Sequence, residues 1–228
     1  MGTKGGWMKG QRESHTRLPP GGMPEPLRIW LLGGFRVTVG SREVGAEAEG
    51  MEITFEVGDA EEMTYADGSF DVVLSTIGVM FCPDQESAAS ELLRVCRSGG
   101  KIGLASWTPD GYTGQMLKTV GKHVPPPGIK PPSLWGTEER LQELLGDGVS
   151  SLQATRRTYT FRYPSAEHFV AWFRDYYGPT VRAFAALDGA GQGALARDLH
   201  ALLEDYNTSG DETLVVPSAY LEVVAIKS

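Results

Sequence analysis

The residues of this chain that could do chemistry are few, and the most suggestive are carboxylates. Asp59 stands in the turn Gly58-Asp59-Ala60, with Glu61 and Glu62 behind it. A carboxylate at a strand end can accept from an amino group, and the main-chain N–H of Ala60 can donate to a neighbouring ring nitrogen. That pair of contacts suits the edge of an adenine, and a solvated turn aspartate is the equally open plain reading. Other chemistries find less support. His15, His123, His168 and His200 are far apart, and none pairs with a Cys or carboxylate at ligand spacing, so no metal site is expected. No G-x-S-x-G elbow is present. Cys82 has no Lys, Arg or His beside it in sequence to lower its pKa and reads as a packed thiol. Nothing in the sequence identifies a catalytic base.

Those carboxylates have to be positioned by the elements around them. Ile53–Val57 reads as a short strand that ends at Gly58-Asp59-Ala60, and Asp67-Gly68 makes a turn. Phe70–Ser75 is a near-continuous apolar run, as a central parallel strand covered on both faces requires. Pro83-Asp84 opens a helix in which Ala88, Leu92, Val95 and Cys96 recur at helical spacing, and Ser98-Gly99-Gly100 is expected to stop it. Lys101–Trp107 is the next strand. A stiff Pro-rich loop runs from His123 to Pro132. Thr137 caps a short helix to Leu145, Leu152–Tyr163 is a strand, and Ser165 caps an aromatic helix. Ala194–Tyr206 is a second amphipathic helix and Tyr220–Lys227 a closing buried strand. Alternation of this kind signals an α/β fold with a parallel sheet and helices on both faces. In such sheets ligands bind beyond the carboxyl ends of the strands, which selects Gly58–Glu61, Ser75–Gly78 and Ser106–Pro109 as the rim of a site. Trp172, Phe173, Tyr176 and Tyr177 could line a hydrophobic pocket or serve as helix core.

The N-terminal part differs in kind. Residues 1–42 carry seven Lys and Arg against two Glu, whereas residues 43–71 carry ten acidic side chains and no Lys or Arg. Residues 1–26, rich in Gly, Pro, Lys and Arg, are expected to form a disordered tail. Residues 27–45 are expected to form a β-hairpin, because Phe35, Val37 and Val39 alternate with polar residues and Gly33-Gly34 separates two apolar runs. The competing reading makes Leu31-Leu32-Gly33-Gly34 a strand feeding a cofactor loop, but the strand-period run Phe-Arg-Val-Thr-Val follows where a helix should begin. The chain has 228 residues and a formal charge of −8. Its length suffices for a real core, and its acidity disfavours binding to nucleic acid. Its two cysteines make no disulfide framework. With no membrane span or secretory signal in view, the expected location is cytoplasmic.

The run Ile53-Thr-Phe-Glu-Val-Gly-Asp-Ala-Glu-Glu-Met-Thr-Tyr-Ala-Asp-Gly-Ser-Phe-Asp-Val-Val-Leu-Ser75, with Glu91-Leu-Leu-Arg-Val-Cys-Arg-Ser-Gly-Gly-Lys101 and Ser106-Trp107, resembles class I S-adenosylmethionine-dependent methyltransferases of the small-molecule, type 11 kind. The resemblance covers residues 50–228 and implies a Rossmann-like methyltransferase sheet, S-adenosylmethionine as cofactor and a small-molecule methyl acceptor. It implies that Asp59 and Ala60 bind the adenine, and that Ser75 and Thr76 face the methionine part. The family's first strand, Gly-rich cofactor loop, following helix and ribose-binding acidic residue find no counterpart in residues 1–50. The resemblance is therefore to an N-terminally truncated member with an incomplete sheet. Two readings stay open: a working methyltransferase, or an inactive remnant or fusion product that acts at most as a binding partner, with self-association through an exposed sheet edge. Residues 27–44 resemble the opening hairpin of actinobacterial antibiotic-regulator-type transcriptional activators, without the recognition helix that would enter a groove.

Overall fold

The computed structural model describes residues 56–126 and 128–228, together with short N-terminal strands: β1 (Ile29–Leu31), β2 (Thr38–Val39), β3 (Arg42–Glu43), β4 (Glu47–Ala48) and β5 (Met51–Glu52). After these come β6 (Phe70–Thr76), α1 (Gln85–Val95), β7 (Cys96–Trp107), α2 (Tyr112–His123) and α3 (Glu138–Leu145). The chain continues through β8 (Val149–Tyr163), α4 (Ala166–Tyr176), α5 (Gly178–Ala186) and α6 (Gly189–Tyr206) to β9 (Leu214–Lys227). The main sheet has the order β1-β6-β7-β9-β8. β1, β6 and β7 run parallel, and β9 runs antiparallel to both β7 and β8. This is an open, Rossmann-like α/β sheet.

The helices begin where a short polar side chain satisfies a free backbone N–H. Asp84 accepts from Ser87 N at the start of α1, Thr137 from Arg140 N at α3, Ser165 from His168 N at α4 and Asp188 from Gly191 N at α6.

β9 shows how helices come to stand on both faces. Leu214, Val216 and Ser218 are buried, and then Leu221, Val223 and Ala225. Alternate residues of a strand point to opposite faces, so β9 buries one face along its first half and the other along its second. The first half packs under α2, α4, α5 and α6 through Tyr112, Met116, Phe169, Phe173, Phe184 and Leu199. The opposite face of the second half packs under α1 and α3 through Leu92, Val95, Leu141 and Leu145.

The structure corrects several sequence expectations. Among the described residues, Ile29–Leu31 and Thr38–Val39 do not pair with each other as the arms of one hairpin. Ile29, Trp30 and Leu31 lie parallel to Val72, Val73 and Leu74 of β6, while the antiparallel ladders are β2 with β3 and β4 with β5. The physical reason is the edge of β6, whose apolar residues need a partner strand, and a three-residue apolar run supplies one. α1 ends at Val95 rather than at the glycines. Residues 96–100 form an irregular start to β7, where the register jumps from Phe70↔Cys96 to Val72↔Lys101. The strand expected at Ile53–Val57 lies partly outside the described residues, and Glu56 to Asp59 carry no regular structure. Two helices, α2 and α5, had no counterpart in the sequence reading. The expected tail at 1–26 lies outside the described residues.

Candidate functional site

The carboxyl ends of β6 and β7 form the rim. Thr76, the last residue of β6, is exposed, whereas Ser75 is buried and its Oγ accepts from Val79 N at 2.9 Å. Ser75 thus secures the turn that follows the strand, and Thr76 faces outward. Ile77 comes next with φ +68°, and its N–H donates to Ala105 O at 2.8 Å. A β-branched residue in the left-handed region costs roughly 1–3 kcal/mol and persists only where surrounding contacts hold it. Here the bond to β7 holds it, and the chain turns sharply away at the end of β6.

The acidic turn lies beside this rim. Asp59 is exposed and Ala60 buried. Asp59 Oδ1 accepts from Glu61 N at 2.9 Å, and Glu61 Oε1 accepts from Asp84 N at 2.8 Å, which ties the turn to the start of α1. The Cys82 thiol is pushed up to about 11, first by burial and then by the charges of Glu61 and Asp59, so both carboxylates sit near the segment that leaves β6. Cys82 is therefore a protonated packing thiol at neutral pH.

Farther along, the loop is clamped by two residues of α1 that the sequence reading passed over. Arg94 donates to Met63 O (2.9 Å), Tyr65 O (2.6 Å) and Asp67 (2.9 Å), and it pairs with Glu91 at 2.6 Å. Glu91 in turn accepts from Met63 N at 2.6 Å, and the Arg94 hydrogen bond holds its carboxyl below the ordinary range. Opposite charges at i,i+3 on a predicted helix were the available signal.

At the end of β7, Ser106, Trp107 and Thr108 are buried. α2 packs closely over them. Its Thr113 N donates to Ser218 Oγ at 3.1 Å, and the two hydroxyls bond at 2.8 Å. Gly114 permits this approach: a Cβ there would stand 2.1 Å from Thr108 O. Gly136, from the segment before α3, comes equally close to the other side, where a Cβ would meet Trp107 O at 2.2 Å. Tyr112, Met116 and Val120 do carry helical spacing, but Gly114 and Gly121 weaken the local helix signal. Ser106 Oγ and Trp135 Nε1 are buried with no hydrogen-bond partner among the described residues.

The aromatic residues of α4 divide between the two sequence alternatives. Phe169 and Phe173 stack at 3.9 Å inside the core, whereas Trp172 and Tyr176 are exposed. Tyr177 is half-buried, with its OH enclosed and unpartnered among the described residues and its pKa raised by burial. A second aromatic group lies at the rim: Trp107 meets Phe161, Tyr220 and Tyr159 at 5.9, 6.1 and 6.3 Å between ring centres. Among the described residues, no group of three or more His, Cys, Asp and Glu is placed to hold a metal ion. No helix among them is long and apolar enough to cross a membrane.

Residues 37–104 match the family described as "Methyltransferase domain". An uncharacterized protein of Mycobacterium tuberculosis is 40% identical over 170 residues, which cover 72% of this chain and 62% of that protein. The chain thus spans about three fifths of the length of that curated relative. A ubiquinone/menaquinone biosynthesis C-methyltransferase of Bdellovibrio bacteriovorus is 42% identical over 57 residues, 25% of this chain and 24% of the relative. Among solved structures, phosphoethanolamine N-methyltransferase 2 of Haemonchus contortus superposes with a TM-score of 0.40 at 17% identity, over 75% of this chain and 36% of that one.

Proposed function

We propose that this chain binds S-adenosylmethionine and transfers its methyl group to a small-molecule acceptor. Asp59 and Ala60 would hold the adenine edge, and Thr76, with Ser75 beneath it, would face the methionine end. One observation carries the reading: the Asp59–Ala60 turn is fixed from two directions, by Glu61 on Asp84 N and by Arg94 and Glu91 on the following loop, beside the carboxyl end of a parallel strand. The matched family segment, residues 37–104, includes all four proposed contact residues.

The residues present fit the adenine end of such a cofactor. Asp59 offers an exposed carboxylate whose orientation is set by the Glu61 N–H, and Ala60 presents no polar side chain that would compete for the ring. The bound cofactor supplies an already activated methyl group on a sulfonium. The protein's own contribution is then alignment of the acceptor and exclusion of water. The bond from Ile77 N to Ala105 O keeps the strand end rigid, so Thr76 keeps its place relative to Asp59.

The experiment is calorimetric titration of the purified chain with S-adenosylmethionine and S-adenosylhomocysteine, with Asp59→Ala alongside. Micromolar binding that the substitution weakens supports the reading. A folded chain that binds neither compound at millimolar concentration would instead be a methyltransferase body without methyl transfer.

A further inference from the structure

We infer that β8 is a pairing edge: two copies of this chain join through it, strand antiparallel to strand, about a two-fold axis at Thr155.

Strand β8 ends the sheet. In the order β1-β6-β7-β9-β8 it has β9 on one side and, among the described residues, no strand on the other. A strand bonds through both of its edges, so the outer row of N–H and C=O groups is left to water or to another strand. Proteins usually close such an edge by keeping it short, bulging it, placing a proline in it or charging it. β8 is 15 residues long, its register with β9 holds without a shift from Ser151 to Tyr163, and it contains no proline. Charge is the remaining guard, and it is largely spent inside the chain. Arg156 is paired with Asp110 at 2.7 Å and Arg157 with Glu222 at 3.1 Å. No residue of β8 is fully buried, and all five from Thr155 to Tyr159 are exposed. Alternate residues point to opposite faces, so the strand is open there on both faces as well as along its edge.

Charge also fixes how a second copy would seat. β8 carries three arginines and no acidic residue, and like charges directly opposite each other destabilise a strand pair. A two-fold axis at Arg156 or at Arg157 sets that arginine against itself. An axis at Thr155 instead sets Arg156 opposite Ala154, Arg157 opposite Gln153, Thr158 opposite Leu152 and Tyr159 opposite Ser151, and leaves Arg162 beyond the paired stretch. Residues 149–161 of each copy then pair along a seam of about 44 Å, at roughly 3.4 Å per residue. With side chains on both faces giving a depth of about 10–15 Å, the seam buries roughly 900–1,300 Å² in total, the lower range of specific interfaces. The same surface serves both copies, so the assembly closes at two. A dimer of micromolar strength is expected.

The test is sedimentation equilibrium of the full chain up to about 100 μM, with Gln153→Arg and Gln153→Glu alongside. Gln153 is exposed, and unfolding midpoints check that each variant keeps its fold. Gln153→Arg puts a cation opposite Arg157 twice in the dimer and should weaken it about fivefold or more. Gln153→Glu puts an anion there and should tighten it by a similar factor. A second measurement reads the axis directly. Residues opposite each other have Cα atoms about 4.5–5.5 Å apart, within reach of a disulfide. Thr155→Cys should therefore cross-link to its own copy under mild oxidation, and Thr158→Cys, facing Leu152, should not. A chain that stays monomeric at about 100 μM overturns the inference. So does a dimer indifferent to both Gln153 substitutions, or one that cross-links through Thr158→Cys and not Thr155→Cys.

Discussion

Replacing Gly114 with alanine should destabilise the protein, although the same exchange seven residues later in the same helix should stabilise it. Both Gly114 and Gly121 lie in α2, where alanine is favoured over glycine by about 1 kcal/mol. Beside Gly121 the nearest atom to an added Cβ is Pro126 Cδ at 3.9 Å, an ordinary contact, so Gly121→Ala should keep most of that gain. Beside Gly114 the Cβ would stand 2.1 Å from Thr108 O and 2.8 Å from Pro109 Cα. Both are backbone atoms of a loop held by Thr108 N on Ala219 O and Gly111 N on Thr108 O. Relief requires α2 or the rim to move by roughly an ångström, and overpacking of this kind costs about 1–3 kcal/mol. The propensity gain is common to both sites and cancels, so the two variants should differ by about 1–3 kcal/mol, or roughly 2–12 °C in Tm for a chain of this size. Urea unfolding followed by circular dichroism measures the difference. Near-equal stability of Gly114→Ala and Gly121→Ala would refute the close approach of α2 to the rim, and with it the account of how Trp107 and Thr108 are held.

Thr113 and Ser218 form a buried hydroxyl pair, so Thr113→Val or Ser218→Ala alone should cost about 1–3 kcal/mol by stranding a polar group. The double variant should lose less than the sum of the two, measured by a denaturant double-mutant cycle. Cys82, with its thiol raised to about 11, should react slowly with iodoacetamide at pH 8 and faster as pH approaches 11. Because Asp59 contributes to that rise, Asp59→Asn should speed alkylation at pH 9, and an unchanged rate would separate the acidic turn from Cys82. Glu91, lowered from 4.5 by its hydrogen bond to Arg94, adds stability that is present above the ordinary carboxylate range and lost as pH falls through its lowered value. A carboxyl NMR titration should find Glu91 below 4.5, and Arg94→Gln should return it toward that value.

How much was legible depended on the range of each signal. The caps at Asp84, Thr137 and Ser165 were visible because a capping side chain and the N–H it satisfies lie three residues apart. Phe70–Ser75 was visible because a strand buried on both sides must be apolar along its length. α2 was hidden by Gly114, whose purpose is a contact with Thr108, a residue outside the helix it weakens. The clamp on the acidic loop joins Arg94 to Met63, 31 residues away, and sequence spacing carries no trace of such a partner.

By itself the sequence determined the alternation of strands and helices, the acidic turn at Asp59 and the likeness to methyltransferases, since each is written in neighbouring residues. The tertiary structure alone decided strand partners and faces. It set Ile29–Leu31 parallel to β6 instead of in a hairpin, turned Ser75 inward and Thr76 outward, and reversed the buried face of β9 midway. An apolar strand can pair with whatever edge is open, and which edge is open depends on the rest of the fold.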